Sequence, residues 1–314
     1  MKGTEKVFVV LTVMVLGAGS LMMARAAVPD AFAQGTHRVA FAAEQVAHGV
    51  ADLLTGWFRS DASSVVANME QSADRDQAQQ GDEFTWTGSV DVGDAIEVKG
   101  VNGSVIAEAT TGSRIEVRAV KKSRRGDASD VHIEVIEHSG GVTLCAVYPS
   151  RGRQANECAP GDGGRMNVKD NDTNVTFYVK VPAGVDFRGK TVNGDVEAQD
   201  LESDVMVRTV NGDVEVSTTG FAEAETVNGS IDAVMGNADR SEGLRFRTVN
   251  GSITLDLPDD LDANVDAKWV NGSIETDLPL QLTGRISRHS AQGVLGDGGP
   301  TLDLTTVNGS IRIR

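Results

Sequence analysis

The sequence predicts an all-β fold, a parallel β-solenoid of roughly 20-residue coils preceded by a helical segment. Two observations predict it: a short phrase recurs along the chain, and apolar residues alternate on both sides of it. The phrase is Val-Asn-Gly, then Ser or Asp, then Val or Ile. It occurs around Asn102-Gly103, Asn193-Gly194, Asn211-Gly212 and Asn228-Gly229, and again around Asn250-Gly251, Asn271-Gly272 and Asn308-Gly309. From Asn193 onward the asparagines fall 18, 17, 22, 21 and 37 residues apart. The last interval is close to two periods, which predicts a decayed copy or an insertion.

Asn-Gly readily takes positive φ at two successive positions, so each copy reads as a corner. Leu244, Phe246 and Thr248 precede one corner, and Ile253, Leu255 and Leu257 follow it. Val265, Ala267 and Trp269 precede the next, and Ile274, Thr276 and Leu278 follow. Such period-two alternation makes a strand with one buried face. Each copy is therefore strand, corner, strand. An array of β-hairpins satisfies the same pattern, with Thr248 opposite Ile253 and Phe246 opposite Leu255. Stacked coils account better for recurrence of the whole phrase, because identical residues then form ladders.

Composition fits a thin stack. The 314 residues include 35 Gly and only 4% aromatics, so Val, Ile, Leu and Ala must fill the core. The net charge of −16 argues against nucleic acid, whose partners carry a basic footprint. It also keeps a strand-rich surface soluble.

The N-terminus reads as an export signal over residues 1–33. Lys2 and Lys6 precede the apolar run Val7 to Leu16, and Ala24-Arg25-Ala26 and Ala31-Phe32-Ala33 are cleavage sites of the A-x-A kind. The uncharged run from Val7 to Ala24 is the alternative, a membrane anchor of borderline length, which would associate the N-terminus with a membrane. Residues 34–82 read as a helical segment and polar linker. Val39, Phe41, Val46, Val50 and Leu53 follow helical spacing from about His37, and Gln71 to Asp82 is polar. The helix is expected to cap one end of the stack.

The repeat domain spans 83–314. Strands are expected at Ala95 to Val98, Ile115 to Val120, Val131 to Ile136, Val142 to Val147 and Val175 to Val181. The 91 residues between Asn102 and Asn193 read as coils whose corners have drifted, plus one excursion. Cys145 and Cys158, the only cysteines, are expected to staple that excursion with a disulfide, as in other exported chains.

The repeated Thr-Val-Asn-Gly-Ser/Asp-Ile/Val phrase resembles the bacterial adhesin-like family of β-strand repeats, the 4097 type of domain of unknown function. Val181-Pro182-Ala183-Gly184-Val185 and Gly296-Asp297-Gly298-Gly299 support the resemblance, which covers Glu83 to the end. It implies a β-solenoid and carries over no catalytic residues.

Motifs for chemistry are few. There is no P-loop, dinucleotide fingerprint, metalloprotease helix or Gly-x-Ser-x-Gly elbow. Asp170-Asn171-Asp172-Thr173-Asn174 starts like a calcium loop but has Val175 at the Gly position and no closing Glu. Asp195 and Asp213 follow consecutive corners and could pair as acid and base in polysaccharide cleavage. Ser holds that place in the other five copies, so an acceptor for turn amides is the simpler role. The expectation is a non-enzymatic exported protein of the periplasm or cell surface, without cofactor or metal. It would contact an envelope or surface protein or a glycan. The alternatives are an envelope-stress sensor or scaffold, and a carbohydrate-active enzyme on the same fold.

Overall fold

The structure is a computed structural model that describes residues 78–80, 82–150, 154–237, 243–258, 260–282 and 287–314. The export signal and the helical stretch up to residue 77 lie outside the described residues. Ala78–Gln80, read above as linker, is a strand.

The strands run, in chain order, β1 (Ala78–Gln80), β2 (Glu83–Gly88), β3 (Ala95–Lys99), β4 (Val105–Thr110), β5 (Ile115–Lys122), β6 (His132–His138) and β7 (Gly141–Val147). There follow β8 (Asn174–Pro182), β9 (Asp186–Lys190), β10 (Val196–Leu201), β11 (Val205–Arg208), β12 (Val214–Thr218), β13 (Ala222–Glu225) and β14 (Ile231–Met235). The last are β15 (Leu244–Arg247), β16 (Ile253–Asp256), β17 (Ala263–Asn271), β18 (Ile274–Thr276), β19 (Gln281–Leu282), β20 (Ser290–Leu295), β21 (Thr301–Asn308) and β22 (Ile311–Ile313). The fold is all-β, with no α-helix among the described residues.

Two mixed, open sheets of eleven strands result. One has the order β1-β2-β5-β8-β4-β10-β12-β14-β16-β22-β18, and the other β19-β20-β17-β21-β15-β13-β11-β9-β3-β7-β6. The two strands flanking each Asn-Gly lie in different sheets, so each copy is one rung crossing from sheet to sheet. Rungs pair in parallel: Val205 with Ala222, and Val214 with Ile231. This excludes the hairpin array. Phe246 pairs with Ala224 and Leu304, and Leu255 with Ala233 and Ile313, so these two residues never face each other across a hairpin.

The alternation aims one set of side chains between the sheets. Val205, Val207, Val214, Val216, Leu244, Phe246, Ile253 and Leu255 are all buried there. Large and small residues adjoin along the rows, as where Ala224 lies between Val207 and Phe246. That is how a core with few rings reaches close packing.

Spatial order departs from sequence order at both ends. The final rung, β21–β22, lies between β15–β16 and β17–β18. The 37-residue interval before it does carry an insertion, the antiparallel strands β19 and β20. At the other end β3–β4 lies between β9–β10 and a further rung formed by β7 and β8. The 91-residue stretch is therefore not a run of drifted coils. It holds one rung whose corner has grown into the cysteine excursion, plus β5 and β6, which pair antiparallel with β8 and β7. Antiparallel strands, rather than a helix, flank the stack within the described residues.

Candidate functional site

Most residues of the repeated phrase bond to a neighbouring rung. The seven asparagines form one parallel column, in the order Asn102, Asn193, Asn211, Asn228, Asn250, Asn308, Asn271. In each of the six steps the Nδ2 of the later asparagine donates to the Oδ1 of the one before, at 2.7–2.8 Å. A one-way amide chain of this kind polarises each bond along its length. Replacing Asn228 by Ala removes two of these bonds and is expected to cost about 1–3 kcal/mol in urea unfolding. The same change at Asn271, which makes one such bond, is expected to cost less.

Five of the seven asparagines have a threonine two residues before them, and each of these threonines caps the preceding corner. Thr191, Thr209, Thr226, Thr248 and Thr306 donate from Oγ1 to the carbonyls of Gly103, Gly194, Gly212, Gly229 and Gly251, at 2.7–2.9 Å. The residue after the glycine accepts a corner amide at Ser104, Asp195, Asp213, Ser230 and Ser252. Asp213 N–H donates to Asp195 Oδ1 at 2.9 Å, and Ser230 N–H to Asp213 Oδ1 at 2.7 Å. Ser252 and Ser310 amides find the hydroxyls of Ser230 and Ser252. Asp195 and Asp213 therefore do adjoin, each with one carboxylate oxygen accepting a corner amide.

The glycines meet a different need from the one the dipeptide predicts. No corner asparagine has positive φ; among described non-glycine residues only Asp170 and Asp200 do. A β-carbon on Gly212, Gly229, Gly251 or Gly309 would overlap the carbonyl of the glycine in the preceding rung. At Gly212, Gly229 and Gly251, which have no positive φ, close approach of backbones demands glycine, whereas Gly103 also has a positive φ of 120°.

The outward faces of the two sheets differ. On one, Glu197, Glu215 and Asp232 stand in register on β10, β12 and β14, with no ion-pair partner among the described residues. Burial pushes the Glu197 carboxyl up, and Glu215 and Asp195 add to the shift. On the other, Lys99, Lys190, Arg208, Glu225 and Arg247 form one row. Here the charges are matched: Lys190 lies 3.1 Å from Glu97 and 3.0 Å from Asp162, Arg208 3.4 Å from Glu225, and Arg247 3.0 Å from Asp303.

This second row fastens the cysteine excursion. Lys99 Nζ donates to the carbonyls of Ala159, Gly161 and Gly163, and the Glu97 carboxylate accepts from Gly161 N–H at 2.8 Å and Thr143 Oγ1 at 3.0 Å. Burial pulls the Lys99 ammonium down to about 8, against the nearby Glu97. Burial pushes the Asp162 carboxyl up, but Lys190 and Arg208 outweigh it and hold it below the ordinary range. Sequence reasoning missed this cluster. Glu97 and Lys99 occupy the outward positions of a strand, and nothing local shows that a loop from residues 159–163 covers them.

Cys145 and Cys158 are disulfide-bonded, with Cα atoms 5.8 Å apart. The chain-entropy value for such a loop is about 3 kcal/mol, so reduction is expected to lower the unfolding free energy read from urea denaturation by that order. Beside it Tyr148 is buried and donates to the Thr173 carbonyl at 2.8 Å. Burial pushes its phenol up from 10.0 to about 12. The unfolded chain therefore loses this proton first, so the contribution is intact below about pH 10 and is lost towards pH 12, worth roughly 2–3 kcal/mol. Tyr148→Phe should remove that alkaline step from the pH dependence of urea unfolding.

No group of His, Cys, Asp and Glu fit for a metal occurs among the described residues, the stretch Asp170 to Asn174 included. Nor is any described helix long and apolar enough to cross a membrane.

Stacked rungs locked by a corner column define an all-β repeat protein. The chain belongs to the Toastrack DUF4097 family, whose model matches residues 88–314. Two solved structures are similar. One is a putative cell adhesion protein from Clostridium sporogenes, at 9% identity over 74% of this chain and 99% of that one, with a TM-score of 0.42. The other is a putative adhesin from Bacteroides fragilis, at 12% identity over 74% and 97%, with a TM-score of 0.21. No curated protein matches the sequence.

Proposed function

We propose that this chain is an exported envelope protein whose work is contact rather than reaction: an adhesin-like β-solenoid for a surface, a protein or a glycan. In this reading residues 1–33 direct export, 34–82 link, and 83–314 form the repeat domain. The disulfide supports an oxidising compartment, periplasm or cell surface. The observation that carries the proposal is the use of the repeated phrase. Its polar side chains are spent on neighbouring rungs, including the two carboxylates that could have served as acid and base. What remains for a partner is the pair of broad outward faces.

The face bearing Glu197, Glu215 and Asp232 is the contact face, because these three carboxylates have no ion-pair partner among the described residues, while Lys190, Arg208 and Arg247 on the opposite face are paired. Such a face favours a basic partner and adds mainly to the rate and selectivity of encounter. Capture from envelope extract by the purified protein should weaken in the triple variant Glu197→Gln, Glu215→Gln, Asp232→Asn, and weaken with salt. Undiminished capture would place the contact elsewhere. Hydrolysis of a glycan panel, abolished by Asp195→Asn with Asp213→Asn, would overturn the non-enzymatic reading.

A further inference from the structure

We infer that Asn271-Gly272 is a site of spontaneous deamidation, the one corner of seven that the stack leaves chemically open. Asn-Gly is prone to this reaction because glycine puts no side chain in the way of its own amide. The Gly nitrogen attacks the Asn Cγ, the new C–N bond closes a succinimide, and Nδ2 leaves as ammonia. Water then opens the ring to aspartate or isoaspartate. No oxidant or cofactor is needed. The reaction does need a glycine N–H that can shed its proton and swing toward the side chain.

Six corners deny that freedom. The amides of Gly103, Gly194, Gly212, Gly229, Gly251 and Gly309 donate to the carbonyls of Asn193, Asn211, Asn228, Asn250, Asn308 and Asn271, at 2.8–3.0 Å. Each such amide is pinned to the next rung, and its glycine is buried or half-buried. Gly272 belongs to the last rung of the column. Its amide meets no acceptor among the described residues, and it is the only corner glycine that is exposed. The Asn271 side chain is held on one side alone, through Nδ2 to Asn308 Oδ1 at 2.8 Å. Reaction there removes that donor and leaves a carboxylate, and in the isoaspartate form an extra backbone atom, at the end of the ladder.

The test is peptide mapping by mass spectrometry of the full chain after incubation at mildly alkaline pH, folded and in urea. Folded protein should gain the mass of an amide-to-acid change at Asn271. The other six asparagines should react at least about tenfold more slowly, the factor set by a local opening cost of roughly 1.4 kcal/mol. In urea all seven should react at similar rates. Protection of Asn271 equal to that of the inner corners in the folded protein, or faster reaction at any inner corner, would overturn the inference.

Discussion

Replacing Gly229 by alanine should destabilise the protein by about 3 kcal/mol or more, although the new side chain is one methyl group. That methyl would overlap the Gly212 carbonyl and the Asp213 nitrogen, which are backbone and have nowhere to go. The Gly212 carbonyl already accepts from Thr226 Oγ1 at 2.9 Å, and the Gly212 amide donates to Asn228 at 3.0 Å. Relief requires the rungs to part, and parting them breaks the hydrogen bond that Asn228 Nδ2 donates to Asn211 Oδ1 at 2.7 Å as well. Gly112 is the control. A β-carbon there meets only Thr110 Oγ1, at 3.5 Å, and Gly112→Ala should change stability by less than about 0.5 kcal/mol. Urea midpoints of the two variants decide the matter. Similar midpoints would mean that the corner glycines are not in close contact.

Removing residues 301–314 should have the largest effect of all, and an uneven one. These residues form β21 and β22, each paired in parallel on both sides. Without them β17 loses β21, β18 loses its one partner strand, and the β17–β20 pair detaches from the body of the stack. In a stack each rung depends on its neighbours alone, so the loss should stay local. Hydrogen exchange should find the amides of β17, β18 and β20 open while β11 to β14 keep their protection. Protection of β17 at the level of the intact chain would contradict the inserted position of the last rung.

Much of this was legible in the residues. The alternation around Asn211 and Asn250 fixes the strands and their inward faces, and recurrence of the whole phrase points to stacking. The role of Ser or Asp as an amide acceptor follows from the hydrogen-bonding capacity of the two side chains. The conformational reading of Asn-Gly failed for a physical reason. The dipeptide tolerates positive φ at both positions, but the asparagines do not use it, and the glycines serve backbone contact between rungs distant in sequence. Rung order was invisible because parallel neighbours are chosen by shape and side-chain fit across the stack, not by proximity along the chain. Asn250 therefore neighbours Asn308, 58 residues away, rather than Asn271. The buried pair Glu97 and Lys99 stayed hidden on similar grounds, since the loop that covers them enters from residues 159–163.

Disulfide trapping at the corner column tests the central claim most directly. Cysteines in place of Asn250 and Asn308 sit on adjacent parallel rungs, about 5 Å apart by strand spacing, and should close under mild oxidation. Cysteines in place of Asn250 and Asn271 stand two rungs apart, roughly 10 Å, and should stay open. Peptide mapping distinguishes either product from the native Cys145–Cys158 bond. Ready closure of the 250–271 pair with an open 250–308 pair would contradict the column, and with it the stacked architecture on which the proposed function rests.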